Sequence, residues 1–149
     1  IPKILSKEMG YSEPSSVLVF DKIGNSISRS ISHSCPVVLS GMRDPYDAGW
    51  WIFKWKAYKS GHAWLVDGIF EQYRIISIYK KKTGKLISTK DEHRTFLHCN
   101  WGWGQEYDGY YEEGVFDSRH PAIKDDPNNF QENGGYYKYE ITYIPFIKP

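Results

Sequence analysis

The sequence predicts an α+β fold, with short helices first and an antiparallel sheet after them. Three observations lead there. Ile23, Ile27 and Ile31 recur every four residues, the spacing of one apolar helix face. From Pro36 onward the period shortens, and β-branched and aromatic residues gather in short runs. Turn residues separate those runs, so consecutive strands reverse direction instead of crossing over.

Element by element, Ile1, Ile4, Leu5 and Met9 lie at helical spacing, Pro2 fits a first turn and Gly10 a C-terminal stop. Val17 to Phe20 is a brief apolar run that suits a strand or a helix lead-in. Asp21 offers an N-cap for a helix reaching about His33. Pro36 to Ser40 reads as a strand ending at Gly41. Gly41 to Gly61 reads as an insertion-like loop: Asp44-Pro45 starts a turn, and Trp50, Trp51, Phe53 and Trp55 crowd its middle. Those tryptophans either line a substrate subsite or cap the sheet, and capping is the reading preferred here. Strands are expected at His62 to Phe70, Tyr73 to Tyr79, Leu86 to Thr89 and Arg94 to Asn100, with a turn at Lys82 to Lys85. Tyr107 to Tyr111 and Tyr136 to Ile144 complete the sheet. Asp117 to Gly135, polar and rich in Gly, Asn and Pro, reads as a long mobile loop.

At 149 residues the chain makes one domain, 1–149, with a real core. Aromatic residues reach 17%, enough for a dense core or a stacking surface. A net charge of +1 offers no basic face for nucleic acid. No apolar run approaches the roughly 18 residues of a membrane span. Because the chain begins at Ile1, an upstream portion is expected. Cys35 and Cys99 form neither a disulfide framework nor a zinc spacing; they are two buried thiols or one disulfide. No metal site and no cofactor is expected.

Two segments carry chemistry: Gly61-His62-Ala63-Trp64-Leu65-Val66-Asp67-Gly68 and His98-Cys99-Asn100-Trp101-Gly102-Trp103-Gly104. His62 opens a strand directly after a glycine, at a sheet rim where an imidazole reaches a cleft and exchanges protons near neutral pH. Alternation along the second segment places Phe96, His98 and Asn100 on one face, with Leu97 and Cys99 on the other. If the two strands are neighbours, Asn100 or the tryptophans after it lie beside His62. Trp101 and Trp103 supply flat apolar walls that shield a polar pair from water.

These two ordered motifs, followed by Asp108-Gly109-Tyr110 and preceded by Cys35-Pro36-Val37-Val38-Leu39-Ser40-Gly41, resemble the C-terminal half of the streptopain family of papain-fold cysteine peptidases. The likeness extends from Lys7-Glu8-Met9-Gly10-Tyr11 to the closing Ile147-Lys148-Pro149. It implies short N-terminal helices packed on an antiparallel, barrel-like sheet. It implies that His62 is the catalytic base, that Trp103 and Trp101 orient and shield it, and that Asn100 bonds nearby backbone. Substrate would be held by Gly61 and Ala63, and by Gly134 and Gly135 at the end of the loop beside the cleft. The implied substrate is a peptide or protein, and the implied setting secreted, cell-surface or periplasmic in a bacterium.

Three departures stand beside the resemblance. The family nucleophile belongs to an upstream, cysteine-bearing half, which becomes the expected partner. Cys35, at a strand entrance before Pro36, and Cys99, pointing away from Asn100, are poor substitutes. Gln105 stands where relatives carry a second glycine, and the 41–61 segment is longer and more aromatic than the link the family uses. His98 reads as a packed or hydrogen-bonded strand residue, while His33, His93 and His120 read as solvated in helix, turn and loop contexts. The competing reading is a non-catalytic pseudo-peptidase, or a module that grips a peptide or glycan with the aromatic insertion.

Overall fold

A computed structural model describes residues 7–8, 10, 18–19, 25–131 and 133–145. The predicted helix from Ile1 to Met9 lies, apart from residues 7 and 8, outside them, as do the Asp21 N-cap and the closing Ile147-Lys148-Pro149.

In chain order the elements are β1 (Leu18–Val19), α1 (Asn25–Ser32), β2 (Val37–Trp50), β3 (Phe53–Tyr79), β4 (Leu86–Asn100), β5 (Gly109–Glu112), β6 (Phe116–Asp117), β7 (Ile123–Lys124), β8 (Tyr136–Tyr137) and β9 (Tyr139–Ile144). Seven strands form one sheet in the order β1-β9-β2-β3-β4-β5-β7, every neighbour antiparallel; β6 and β8 form a second, small sheet.

This corrects the expected fold class. Among the described residues the chain is a β-rich structure with one complete short helix, not helices packed on a barrel-like sheet. The large sheet stays open, with β1 and β7 at its edges. The error has a physical source. Segments that look irregular by hydrophobic pattern lie on two-stranded ribbons whose faces are both solvated, where no apolar alternation is required. Residues 41–61 are therefore no loop: Asp44 to Trp50 pairs with Phe53 to Lys59, and only Trp51 and Ile52 turn the chain. Pro45, a turn signal in sequence, sits opposite Tyr58 on an edge that β9 has already left, where its missing N–H costs no ladder bond to a third strand. In the same way β3 runs unbroken through Glu71 and Gln72, which pair with Thr95 and Arg94. His93, expected in a turn, lies within β4 and stacks on Tyr73 at 4.4 Å.

Helix α1 buries Ile27 completely and turns Ile31 toward the core. Past its end at Ser32, Ser34 takes a φ of 58°, which lets Cys35 N–H reach the Ser30 carbonyl at 2.9 Å, while Ser34 N–H reaches the Ile31 carbonyl at 2.9 Å. That pair of bonds satisfies the last orphan carbonyls and aims the chain into β2. Alternation then buries Val37 and Leu39 on β2, Trp64 and Val66 on β3, and Leu97 and Cys99 on β4. They join Trp101, Tyr107, Tyr111, Phe116, Tyr137 and Tyr143 in one cluster. The core thus sits where β2, β3 and β4 run together, and the two hairpins extend beyond it.

Cys35 and Cys99 are both buried and both free, so the disulfide alternative is excluded. The 117–135 segment, expected to be a long mobile loop, is fastened at several points. Phe116 and Asp117 pair with Tyr137 and Tyr136, and Ile123 and Lys124 pair with β5. His98 supplies a further tether: its Nδ1 meets Asp67 on β3, and its Nε2 lies 2.7 Å from Asp125, just past β7.

That tether titrates. Burial by itself lowers the His98 pKa, but the hydrogen bonds and charges of Asp67 and Asp125 outweigh it and raise the value above the ordinary 6.5. The Asp108 carboxylate adds to the negative field around this group, and the Tyr110 ring packs 5.0 Å away. A raised histidine pKa stabilises the fold fully below about pH 6.5, and that contribution is lost as pH rises through the folded value. Neutral imidazole donates through one nitrogen only, so one carboxylate then loses its donor. The thermal midpoint should fall as pH rises from about 6.5 through the raised folded value. His98→Gln should flatten that limb, and an unchanged slope would exclude the tether.

Candidate active site

His62 lies on β3 directly opposite Gly41 of β2. Its Nε2–H donates to the Trp101 carbonyl at 2.9 Å. A carbonyl can only accept, so this bond places the proton on Nε2 and leaves Nδ1 with its lone pair. The ring lies near-parallel to Trp103 at 4.2 Å, with Trp101 at 6.1 Å and Tyr137 at 5.7 Å. It faces an open cleft lined by Ser40, Gly41, Met42, Gly61, Ala63, Glu140 and Thr142. A second concavity, lined by Arg43, Trp103, Glu106, Tyr107, Asn133, Gly134 and Tyr137, adjoins it through the two rings that touch His62.

The turn after β4 makes this arrangement possible. Gly102 and Gly104 take φ values of 75° and 69°, in the left-handed region that glycine adopts without steric cost. The chain reverses there, so the Trp101 and Trp103 rings lie 14° from parallel. Gln105 takes φ 72° as well. A side chain costs about 1 kcal/mol in that region, which explains why a glycine is the cheaper residue there. Asn100 Oδ1 accepts from Gly102 N–H at 2.9 Å and so shapes the turn; across the sheet it pairs with Leu65. Asp108, almost fully buried, accepts from Trp101 N–H at 2.9 Å. Burial raises the Asp108 pKa while that bond opposes the rise. Asp108 therefore pins the peptide unit next to the carbonyl that holds His62.

The predicted site residues thus fall into three places. His62, Trp101 and Trp103 meet one another, with Gly61 and Ala63 on the adjoining cleft wall. Asn100 acts on the turn, not on the ring. Gly134 borders the second concavity and, together with Gly135, a third one lined also by Arg43, Asp44, Arg119, Tyr136 and Lys138. Ser118, fully buried, anchors this corner: Gly135 N–H donates to its Oγ at 2.9 Å, and Ser118 N–H donates to the Gly135 carbonyl at 3.0 Å. A Cβ at Gly134 would stand 2.1 Å from that Oγ, so only glycine fits.

Sequence reasoning missed three participants. The group that holds His62 is a main-chain carbonyl, which no residue type announces. Tyr137 arrives from a strand far along the chain. Asp108 had one visible signal, a carboxylate set among Tyr107, Gly109 and Tyr110. Neither cysteine lines the cleft: Cys99 points into the core, where burial pushes its thiol well above its ordinary range, and Cys35 packs with Ile144 and Val38.

Comparison with known proteins adds one match. A profile of the Peptidase C10 family covers residues 2–111. The chain belongs to this family, the streptopain family of cysteine peptidases. The matched span includes both motifs, so the resemblance carried by His62 and by Asn100 to Gly104 is borne out at the level of family. No curated protein and no solved structure matches the chain.

Proposed function

We propose that this chain supplies the general base and one cleft wall of a secreted bacterial cysteine peptidase, whose nucleophilic thiol is carried on a segment upstream of these residues. The observation that carries this reading is the Nε2–H bond from His62 to the Trp101 carbonyl. It presents Nδ1, the basic nitrogen, while Trp103 covers a face of the ring.

In the reaction His62 Nδ1 takes the proton of an incoming thiol, and the thiolate attacks the peptide carbonyl carbon. Collapse of the tetrahedral adduct breaks the C–N bond, and the imidazolium returns its proton to the leaving amine. Water, deprotonated by the same nitrogen, then cleaves the thioester and regenerates the thiol. Burial of both Cys35 and Cys99 supports a nucleophile from elsewhere. Exposed apolar side chains on the β3–β4 ribbon, among them Tyr73, Ile75 and Ile87, support packing against a partner segment.

The test is intact mass spectrometry of the denatured natural product after exposure to a thiol-directed epoxide inhibitor. The expected result is one inhibitor mass on a cysteine outside this chain, abolished by prior unfolding. Peptides from this chain should stay unlabelled. A folded product in which no cysteine reacts would overturn the enzymatic reading and leave a pseudo-peptidase or binding module.

A further inference from the structure

The β2–β3 hairpin ends in four consecutive large apolar residues, Trp50, Trp51, Ile52 and Phe53, exposed at 84%, 79%, 76% and 74%. Nothing among the described residues covers them. β9 leaves β2 at Met42, and β4 joins β3 only from Leu65, so beyond the Tyr58–Tyr139 stack the distal hairpin is, among the described residues, a two-stranded ribbon with no third strand. Trp50 lies eight residues past Met42, which sets the tip roughly 25 Å beyond the three-stranded sheet.

The turn itself is chosen against backbone preference. Trp51 occupies the first of its two positions with φ 53°, a conformation that favours glycine or asparagine. Neither hairpin formation nor core packing among the described residues accounts for a tryptophan there, which directs attention to a role outside the fold. Behind the tip the charge is positive. Lys56 pairs with Asp47, and Arg43 and the cross-strand Lys59 both act on Asp44, so Arg43, Lys54, Lys56 and Lys59 face only those two carboxylates along the ribbon. Lys54 immediately follows Phe53.

We infer that this tip inserts into the interfacial region of an anionic lipid bilayer. Tryptophan rings favour the headgroup level, where an apolar body and a polar N–H are both accommodated. Lysines just behind an apolar tip are drawn to negative headgroups, each by about 1 kcal/mol. An apolar tip at the end of a projecting ribbon can enter a deformable lipid surface without a shaped pocket to receive it. The inference stands apart from the catalytic role of His62, because the tip and the cleft share no residue.

The experiment is vesicle co-sedimentation of the intact protein, with tryptophan emission as a second readout. Vesicles of phosphatidylcholine mixed with phosphatidylglycerol should bind it and shift the emission to the blue. Pure phosphatidylcholine should bind more weakly. Trp51→Asn combined with Ile52→Gly installs a preferred turn and should keep or raise the thermal midpoint. Partitioning should fall at least about tenfold with that variant. Lys54→Gln should weaken binding to the charged vesicles about fivefold and leave neutral vesicles unaffected. Equal vesicle binding by the tip variant, or no binding by the intact protein, overturns the inference. So does self-association in sedimentation that the tip variant abolishes while vesicles stay unbound.

Discussion

His62→Ala, made in the peptidase together with its thiol-bearing segment, is expected to lower kcat/KM by roughly a hundred- to ten-thousand-fold, the usual worth of a positioned general base. The thermal midpoint should barely move. His62 is only partly buried, and the carbonyl it leaves belongs to Trp101, whose backbone Asp108 still holds. Wild-type kcat/KM in the variant would remove His62 from the mechanism. A large drop in the midpoint would instead assign it a structural role.

The second large effect is on stability. Trp101 is 1% exposed and packs against Trp64 at 4.7 Å, Tyr111 at 5.5 Å and Tyr137 at 5.5 Å. Trp101→Ala leaves a cavity that this many rigid rings cannot close, and should cost about 3–5 kcal/mol. In a domain of this size that lowers the thermal midpoint by roughly 6–20 °C. Trp103→Ala is the comparison: that ring is only partly buried at the edge of the core, so stability should fall less, while shielding of the His62 ring is lost. Equal costs for the two substitutions would show that Trp101 is not the centre of the core.

The two predictions separate what pattern conveys from what packing conveys. Ser60 to Gly68 and His98 to Gly104 are legible because they are local: a glycine before a histidine, and glycines spaced between tryptophans, state their backbone needs in the sequence itself. The turn at Lys82 to Lys85 is equally local, and Gly84 there takes φ 64° with its N–H donating to the Lys80 carbonyl at 2.8 Å. The 41–61 segment hides its strands for the opposite reason. A free ribbon exposes both faces, so its strands carry no periodic signature, and Asp44-Pro45 resembled a turn. The same segment shows why the tryptophans do not cap the sheet: Trp50, Trp51 and Trp55 lie on a ribbon that leaves it.

By itself the sequence determined the family, the antiparallel sense of the strands that follow Pro36 and the position of the turn at Lys82 to Lys85. Each of these rests on neighbours in the chain. Only the tertiary structure decided that β2 and β3 continue as one hairpin, that the Trp101 carbonyl holds His62, and that Asp67 and Asp125 converge on His98. Those contacts join residues far apart along the chain, and backbone carbonyls and sheet register are common to every residue type. They become specific only once the core brings the strands together.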